Sequence, residues 1–362
     1  MIYMDNASTT YVDPDCIEVV DKTMSEVWGN PSNVYRIGRE AKKIIDGVKV
    51  DLADCINAKP DEIFFTSGAS EGNAWALKQS YRIMISPFEH HNYLDAPNTL
   101  ILLDNNVLSY TGFGPDIGYA HMLVSNETGQ LFTKIPKYFE YVHSFGGFTI
   151  CDCTQAFGNV EIDIKKLGCD FAVFSGHKFH APKGIGFVYI KKEAQDRIVP
   201  LIYGTQQDHK RGGTENVPYI MALHIAALKA HDNLNLKIQH SRKLMSTALN
   251  YLTTKARELK IDFLLTADYI DNFIPSTVSF CLKNVESELI QSILSEEYDI
   301  FIGIGSGCSD GSMEVNQTLK ALNIPEDFIR GPIRLSFSKD NTKEEVMQVI
   351  DAILEVYNRV KF

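Results

Sequence analysis

A lysine follows a short apolar run at Phe171-Ala172-Val173-Phe174-Ser175-Gly176-His177-Lys178. The run reads as a sheet strand, and α/β sheets place their ligands beyond the carboxyl ends of strands. An amine desolvated there loses its proton more easily and becomes a nucleophile suited to a carbonyl carbon. A solvated strand-end lysine is the plainer reading of the same residues. Upstream by 26 residues, Ile150-Cys151-Asp152-Cys153-Thr154-Gln155 puts an acid at the end of a second apolar run. Asp152 could be a helix cap or turn residue, or a partner for a protonated ring nitrogen. Thr66-Ser67-Gly68-Ala69-Ser70 follows Ile63-Phe64-Phe65 and opens a helix from about Glu71. Helix N-termini bind phosphate through free N–H groups and the dipole, although Ser70 would serve equally as an ordinary cap. Together an amine for an aldehyde, a carboxylate for a ring nitrogen and a phosphate cradle are what pyridoxal 5'-phosphate requires.

The seven cysteines are scattered and odd in number, which argues against a secreted disulfide framework and for a reducing cytoplasm. Alternation along a strand puts Cys151 and Cys153 on one face, where a metal is conceivable, but no second pair accompanies them. Cys308 stands apart in Gly303-Ile304-Gly305-Ser306-Gly307-Cys308-Ser309-Asp310-Gly311-Ser312. So much Gly and Ser predicts an exposed, mobile loop. The other six lie in or beside apolar patterns and read as buried, inert thiols.

The elements that must hold these residues alternate between short apolar strands and amphipathic helices. Strands are expected at 63–65, 81–86, 101–103, 121–124, 148–151, 171–174 and 186–190. This is the pattern of an α/β fold with a mostly parallel sheet. Helical spacing dominates from Pro218 to about Lys260. Beyond it come strands at 277–282 and 333–337, a helix near 286–294 and a closing helix from Thr342. We therefore expect a large α/β domain over 15–245. A smaller α+β domain over 1–14 and 246–362 would carry the Cys308 loop.

Length and charge bound the rest. A chain of 362 residues with 44% hydrophobic and 22% charged residues is an ordinary soluble globular composition, sufficient for two domains. No apolar run approaches the roughly 20 residues of a membrane span, and the N-terminus lacks a secretion signal. A net charge of −11 disfavours nucleic-acid binding by the chain itself, while leaving room for a small anionic ligand.

These motifs, in order along nearly the whole chain, resemble the cysteine desulfurases of the NifS/IscS type. Those enzymes form part of the class V aminotransferase branch of fold-type I pyridoxal-phosphate enzymes. The likeness is carried by Tyr3-Met4-Asp5-Asn6-Ala7, Gly29-Asn30-Pro31-Ser32, Thr66-Ser67-Gly68-Ala69-Ser70-Glu71 and Glu89-His90-His91. It continues through Ser125-Asn126-Glu127-Thr128-Gly129, Asp152-Cys153-Thr154-Gln155 and Ser175-Gly176-His177-Lys178. It ends with Gly213-Thr214-Glu215-Asn216, Ser306-Gly307-Cys308-Ser309 and Ile333-Arg334-Leu335-Ser336.

The resemblance implies an aspartate aminotransferase-like fold and a set of roles. Lys178 would be the Schiff-base lysine and the base that moves the Cα proton. Asp152 would pair with the ring nitrogen, Gln155 with the ring hydroxyl oxygen, and His90 would stack on the ring and shuttle protons. Ala69, Ser70, Ser175 and His177 would hold the phosphate. Thr214 would reach the phosphate of a neighbouring subunit, which implies a homodimer with shared sites. Asn126 and Arg334 would lie near the carboxylate of the substrate, L-cysteine. Cys308 would take the substrate sulfur as a persulfide and pass it to an acceptor protein. From the residues alone, either His90 or His91 could be a plain surface histidine, and Arg334 could pair with a core-edge acid.

The chain departs from the family pattern at several points. The loop 204–211 has Thr205, Asp208 and His209 where the family differs, and Tyr35 stands where histidine is common. The stretch from 91 to 125 is short by about one helix. The chain ends soon after its last helix, without the longer tail some members use to dock a scaffold. Alternatives are another class V reaction (selenocysteine lyase, or another β-eliminating lyase) and a catalytically reduced scaffold subunit. The retained thiol Cys308 argues against simple transamination.

Overall fold

Continuously apolar strands dictate the centre of the fold, because a strand covered on both faces has no solvent side to mark with polar residues. The computed structural model describes residues 1–267, 269, 271–305 and 317–362. Two units emerge from it. One comprises Met1–Thr9, Val124–Leu131 and Asn235–Phe362; the other comprises Thr10–Leu123 and Phe132–Leu234.

The chain opens with β1 (Ile2–Met4) of the first unit. The second unit then begins with α1 (Pro14–Glu26) and α2 (Arg36–Cys55), followed by β2 (Ile63–Thr66) and α3 (Ala69–Leu77). Next come β3 (Arg82–Ile85), α4 (His91–Leu94), β4 (Thr99–Ile101) and β5 (Ile117–Met122). They are followed by α5 (Ile135–Ser144), β6 (Thr149–Asp152), α6 (Ile164–Leu167), β7 (Phe171–Ser175), β8 (Gly186–Ile190) and α7 (Val217–Asp232). The seven strands β2 to β8 form one sheet in the order β2-β8-β7-β6-β5-β3-β4. Only β8 runs against its neighbours. The sheet is thus mostly parallel, as the alternation of elements predicted. Its core packs Phe64, Trp75, Ile83, Ile150, Phe171 and Val173.

Two strands lie two or more residues from the sequence expectation, while the other expected strands agree within one. β4 starts at Thr99 rather than at residue 101, and β5 at Ile117 rather than 121. β4 is the exposed edge of the sheet, so its burial gives no clean signal. β5 opens with Ile117 and then Gly118, and the glycine has no side chain to report a face. The short stretch between 91 and 125 contains one single-turn α-helix, α4, and a 3-10 segment over Asp104–Ser109.

The first unit continues with α8 (Leu234–Leu259) and β9 (Phe263–Leu265), and then β10 (Thr277–Leu282), α9 (Ser287–Tyr298) and β11 (Ile300–Ile302). It closes with α10 (Gln317–Ala321), β12 (Pro332–Ser336) and α11 (Lys343–Val360). β12, β10 and β9 form an antiparallel sheet. The N-terminal β1 pairs in parallel with β11, so the start of the chain does fold back onto its C-terminal third. Thr342 and Glu345 cap α11 reciprocally, which fixes the start of the closing helix at the expected residue. Among the described residues, no helix is long and apolar enough to cross a membrane.

Candidate active site

Asp152 is the last residue of β6 and pairs in parallel with Val173 of the neighbouring β7. Lys178 lies three residues past the end of β7, in a tight turn over Gly176–Lys178. That turn requires glycine at its start: a Cβ on Gly176 would sit 2.9 Å from both Ala181 Cβ and Leu223 Cδ1, and 3.0 Å from Ile185 O. Two parallel strands thus end side by side, one carrying the acid and one leading to the half-buried lysine.

Asp152 is 6% exposed. Its Oδ1 accepts the Thr154 N–H at 2.9 Å, so the residue does stabilise a turn. Its Oδ2 accepts from Asn73 Nδ2 at 3.0 Å. A carboxylate has about four acceptor positions, so two donors leave capacity for a third. Asn73 Oδ1 in turn accepts from the Tyr93 hydroxyl at 3.1 Å. Gln155, one turn beyond Asp152, is also buried.

Of the two adjacent histidines, His90 belongs to this cluster. It caps α4, with Nδ1 accepting the Asn92 N–H at 3.3 Å. Part of its ring is exposed, yet the surrounding protein still lowers its pKa; the Asp152 charge opposes that shift and the Lys178 charge adds to it. His91 instead faces Asp95 at 3.7 Å on the surface. Glu89, which precedes them, is fully buried. It accepts from Ser86 Oγ at 2.6 Å and from the Met122 N–H at 2.7 Å, and burial raises its pKa to about 7.

Helix α3 starts at Ala69, two residues earlier than expected. The cap is Gly68 with a φ of +150°, and Ser70 stands in the first turn instead of capping it. Only glycine takes that φ without strain. A Cβ on Gly68 would point at Ser175 Oγ, 3.5 Å away, so the helix start and the end of β7 lie side by side. The helix is pressed onto the sheet: a Cβ on Gly72 would meet Val173 Cγ1 at 2.7 Å. Glu71, in the first turn, is gripped by Arg211 through Nε at 2.8 Å and Nη2 at 3.0 Å. Burial opposes its ionisation, but the Arg211 and Ser67 hydrogen bonds win and hold the carboxyl below its ordinary range. His177 is lowered to about 4, by burial first and then by the Lys178 and Lys183 charges. It is therefore neutral at neutral pH, a hydrogen-bonding group rather than a cation.

Pyridoxal phosphate fits these residues. The buried Asp152 retains acceptor capacity, Lys178 is within the same strand-end cluster, and the Gly68–Ser175 gap is a cradle that a larger residue at 68 would fill. A cavity of about 240 Å³ lined by Thr66, Ser67, Arg211 and Thr214 lies in the same unit. Thr214 itself is exposed. In the departing loop, Gln207, Asp208 and His209 all have positive φ. The Gln207 amide accepts from the Phe65 N–H at 2.6 Å and donates to Phe65 O at 3.0 Å. It thereby closes the open edge of β2, a use of this loop that the sequence did not suggest.

The first unit brings together Asn126 and Arg334, which are distant in sequence. Arg334 is 5% exposed and donates from Nη1 to Asn126 O at 2.7 Å. Its Nη2 donates to Asp5 Oδ1 at 2.8 Å and to Ser8 Oγ at 2.7 Å. Arg334 Nε has no partner among the described residues. So Arg334 does pair with an acid, and it also keeps a buried donor in reserve.

Cys308 lies outside the described residues. The six described cysteines are all buried. Burial pushes Cys16 up to about 11 and Cys55 and Cys281 up to about 12, and raises Cys151 and Cys169 well above the ordinary thiol range. Cys151 and Cys153 approach to 3.6 Å between sulfurs as a thiol–thiol contact. No group of three or more His, Cys, Asp or Glu with metal-holding geometry occurs among the described residues. The sequence reading gave no role to Asn73, Tyr93 or Glu89. A polar residue on the apolar, sheet-facing side of α3 is the signal that could have marked Asn73.

The class-V aminotransferase family model matches residues 2–98 and 118–349. The chain is 31% identical to a cysteine desulfurase IscS from Methanosarcina thermophila, over 99% of this chain and 93% of that protein. Among solved structures, a NifS-like protein superposes with a TM-score of 0.85 at 27% identity, covering 99% of both chains. A NifS-like protein from Rickettsia africae matches with the same score and coverage at 26% identity.

Proposed function

The chain belongs to the class-V aminotransferase family and is a pyridoxal-phosphate-dependent cysteine desulfurase, and on that premise we propose how its residues divide the reaction. The observation that best supports the assignment is the strand-end pair: Asp152 closing β6 and Lys178 just past β7, on adjacent parallel strands. Lys178 holds the cofactor aldehyde, Asp152 the ring nitrogen and Gln155 the ring oxygen, with His90 on the ring face. Ala69, Ser70, Ser175 and His177 hold the phosphate. Thr214 reaches the phosphate of a second copy, which makes the working form a homodimer with shared sites.

When bound, the cofactor acts as an electron sink for the substrate Cα. Lys178 moves the Cα proton, and Arg334 with Asn126 takes the carboxylate of L-cysteine. His90, neutral at working pH, accepts the proton of an incoming thiol. The Cys308 thiolate attacks the substrate sulfur. The S–S bond forms as the C–S bond breaks, and the released electron pair at Cβ takes up a proton. L-cysteine and one thiol thus become L-alanine and one persulfide, with no outside oxidant. The persulfide then passes to a sulfur-acceptor protein. Six buried, unbridged cysteines suit a reducing, cytoplasmic setting.

The test is mass spectrometry of the Cys308 peptide after incubation with L-cysteine. One added sulfur is expected there, and Cys308→Ala should keep the yellow cofactor but form no alanine. Alanine production by Cys308→Ala at the original rate would overturn the persulfide role.

A further inference from the structure

We propose that Tyr93 is a positioning residue for Asp152, acting through Asn73 to fix which end of a buried amide faces the acid. The inference rests on the reading of Asp152 as the partner of the cofactor ring nitrogen. An ionised carboxylate only accepts hydrogen bonds. Asn73 must therefore present its NH₂ to Asp152 Oδ2, at 3.0 Å, which turns its carbonyl oxygen to Tyr93. The Tyr93 hydroxyl then has one role, to donate, and it does so at 3.1 Å. Were the amide to turn over, its oxygen lone pairs would face the carboxylate and its NH₂ would face the hydroxyl. Asn73 is 1% exposed and Tyr93 0%, so bulk water is not at hand to replace either partner.

Tyr93 is also a durable donor. Burial, and then the charges of Asp152 and Glu89, push its phenol well above the ordinary tyrosine range, so the proton stays on. Position adds to the case. Tyr93 lies in the single-turn helix α4 that His90 caps, and Asn73 lies one turn along α3 from Ala69 and Ser70. The chain Tyr93–Asn73–Asp152 therefore ties together the segments that would carry the ring face, the phosphate and the ring nitrogen. Sites that hold a reacting group in place do so through such outer hydrogen bonds.

The experiment uses Tyr93→Phe, Asn73→Ala, their double variant and Asp152→Asn, each stripped of cofactor and titrated with pyridoxal 5'-phosphate. Tyr93→Phe should weaken cofactor affinity by about tenfold, the change expected from one hydrogen bond serving a charged group. The double variant should bind no more weakly than Asn73→Ala alone, because the hydroxyl acts only through the amide. The pH midpoint of the bound cofactor's visible absorption should move upward in Tyr93→Phe, since a carboxylate whose amide donor is no longer held in place draws the ring proton toward itself. A pure packing role for Tyr93 would leave that midpoint in place and make the two losses additive, which overturns the proposal. If Asp152→Asn abolishes tight binding while Tyr93→Phe binds and absorbs as wild type, the inference fails and the site reading stands. If Asp152→Asn itself changes neither affinity nor spectrum, the site reading fails and the inference falls with it.

Discussion

Arg334 Nη2 lies 2.8 Å from Asp5 Oδ1, an ion pair between a buried arginine of β12 and the half-buried residue that follows β1. Two N–H groups of the guanidinium go to Asp5 and Ser8 and one to Asn126, which leaves the Nε–H and one Nη1–H. Those two do not share an edge, so a ligand carboxylate meets a fork that Asp5 already half satisfies. Replacing Asp5 by Asn keeps the shape and removes the competing charge. Asp5→Asn is expected to lower KM for L-cysteine, and Arg334→Lys to raise it about tenfold or more with a smaller change in kcat. Steady-state kinetics check both; an unchanged KM in Arg334→Lys removes that residue from carboxylate binding.

Gly72 sets how closely α3 approaches β7. A methyl group there would overlap Val173 Cγ1 at 2.7 Å, with Val188 Cγ1 at 3.0 Å beside it. Gly72→Ala should therefore destabilise the protein by about 1–3 kcal/mol, although alanine is the better helix former. Urea unfolding should show a lower midpoint at an unchanged slope. Cofactor affinity should fall as well, because the cradle at the start of α3 shifts with the helix.

His177 gives a pH signature. Its pKa is about 4 in the folded protein against an ordinary 6.5. Between those values the unfolded chain binds the extra proton, so acid favours unfolding. The contribution is complete above pH 6.5 and lost as pH falls toward 4. For the cofactor-free protein, the stability advantage of wild type over His177→Gln should shrink by about 1–2 kcal/mol from pH 7 to pH 5. Unfolding titrations at the two pH values measure it, and a constant difference contradicts the neutral state of this histidine.

Thiol reactivity separates the cysteines. Six are buried, and burial raises the pKa of five of these, so their thiolate fraction and their access are both small. Under native conditions a disulfide reagent such as Ellman's should titrate one fast thiol, and Cys308→Ser should abolish that phase. Two or more fast thiols in the native protein would show that Cys308 is not set apart.

Much of the fold and the outline of the site were legible in the sequence. β6, β7 and β8 are continuous apolar runs, and their ends deliver Asp152 and approach Lys178 without any knowledge of pairing. The Thr342 cap was equally plain. What was not legible came from packing between distant segments. The start of α3 fell two residues early because Gly68 adopts a backbone that only glycine takes easily, whereas the sequence offered Ser70, two residues on, as the cap.

The sequence by itself determined the order of chemical groups: an amine after one strand, an acid after another, a helix start after a third. These depend on local periodicity and residue type, which are properties of short segments. Only the tertiary structure decided which neighbours those groups keep. Asn73 and Tyr93 reach Asp152, Gln207 closes the edge of β2, and Asp5 holds Arg334. Each is a hydrogen bond between residues 20 to 329 positions apart. No local pattern encodes such a pair, because its partners meet only after the sheet and helices have fixed the backbone around them.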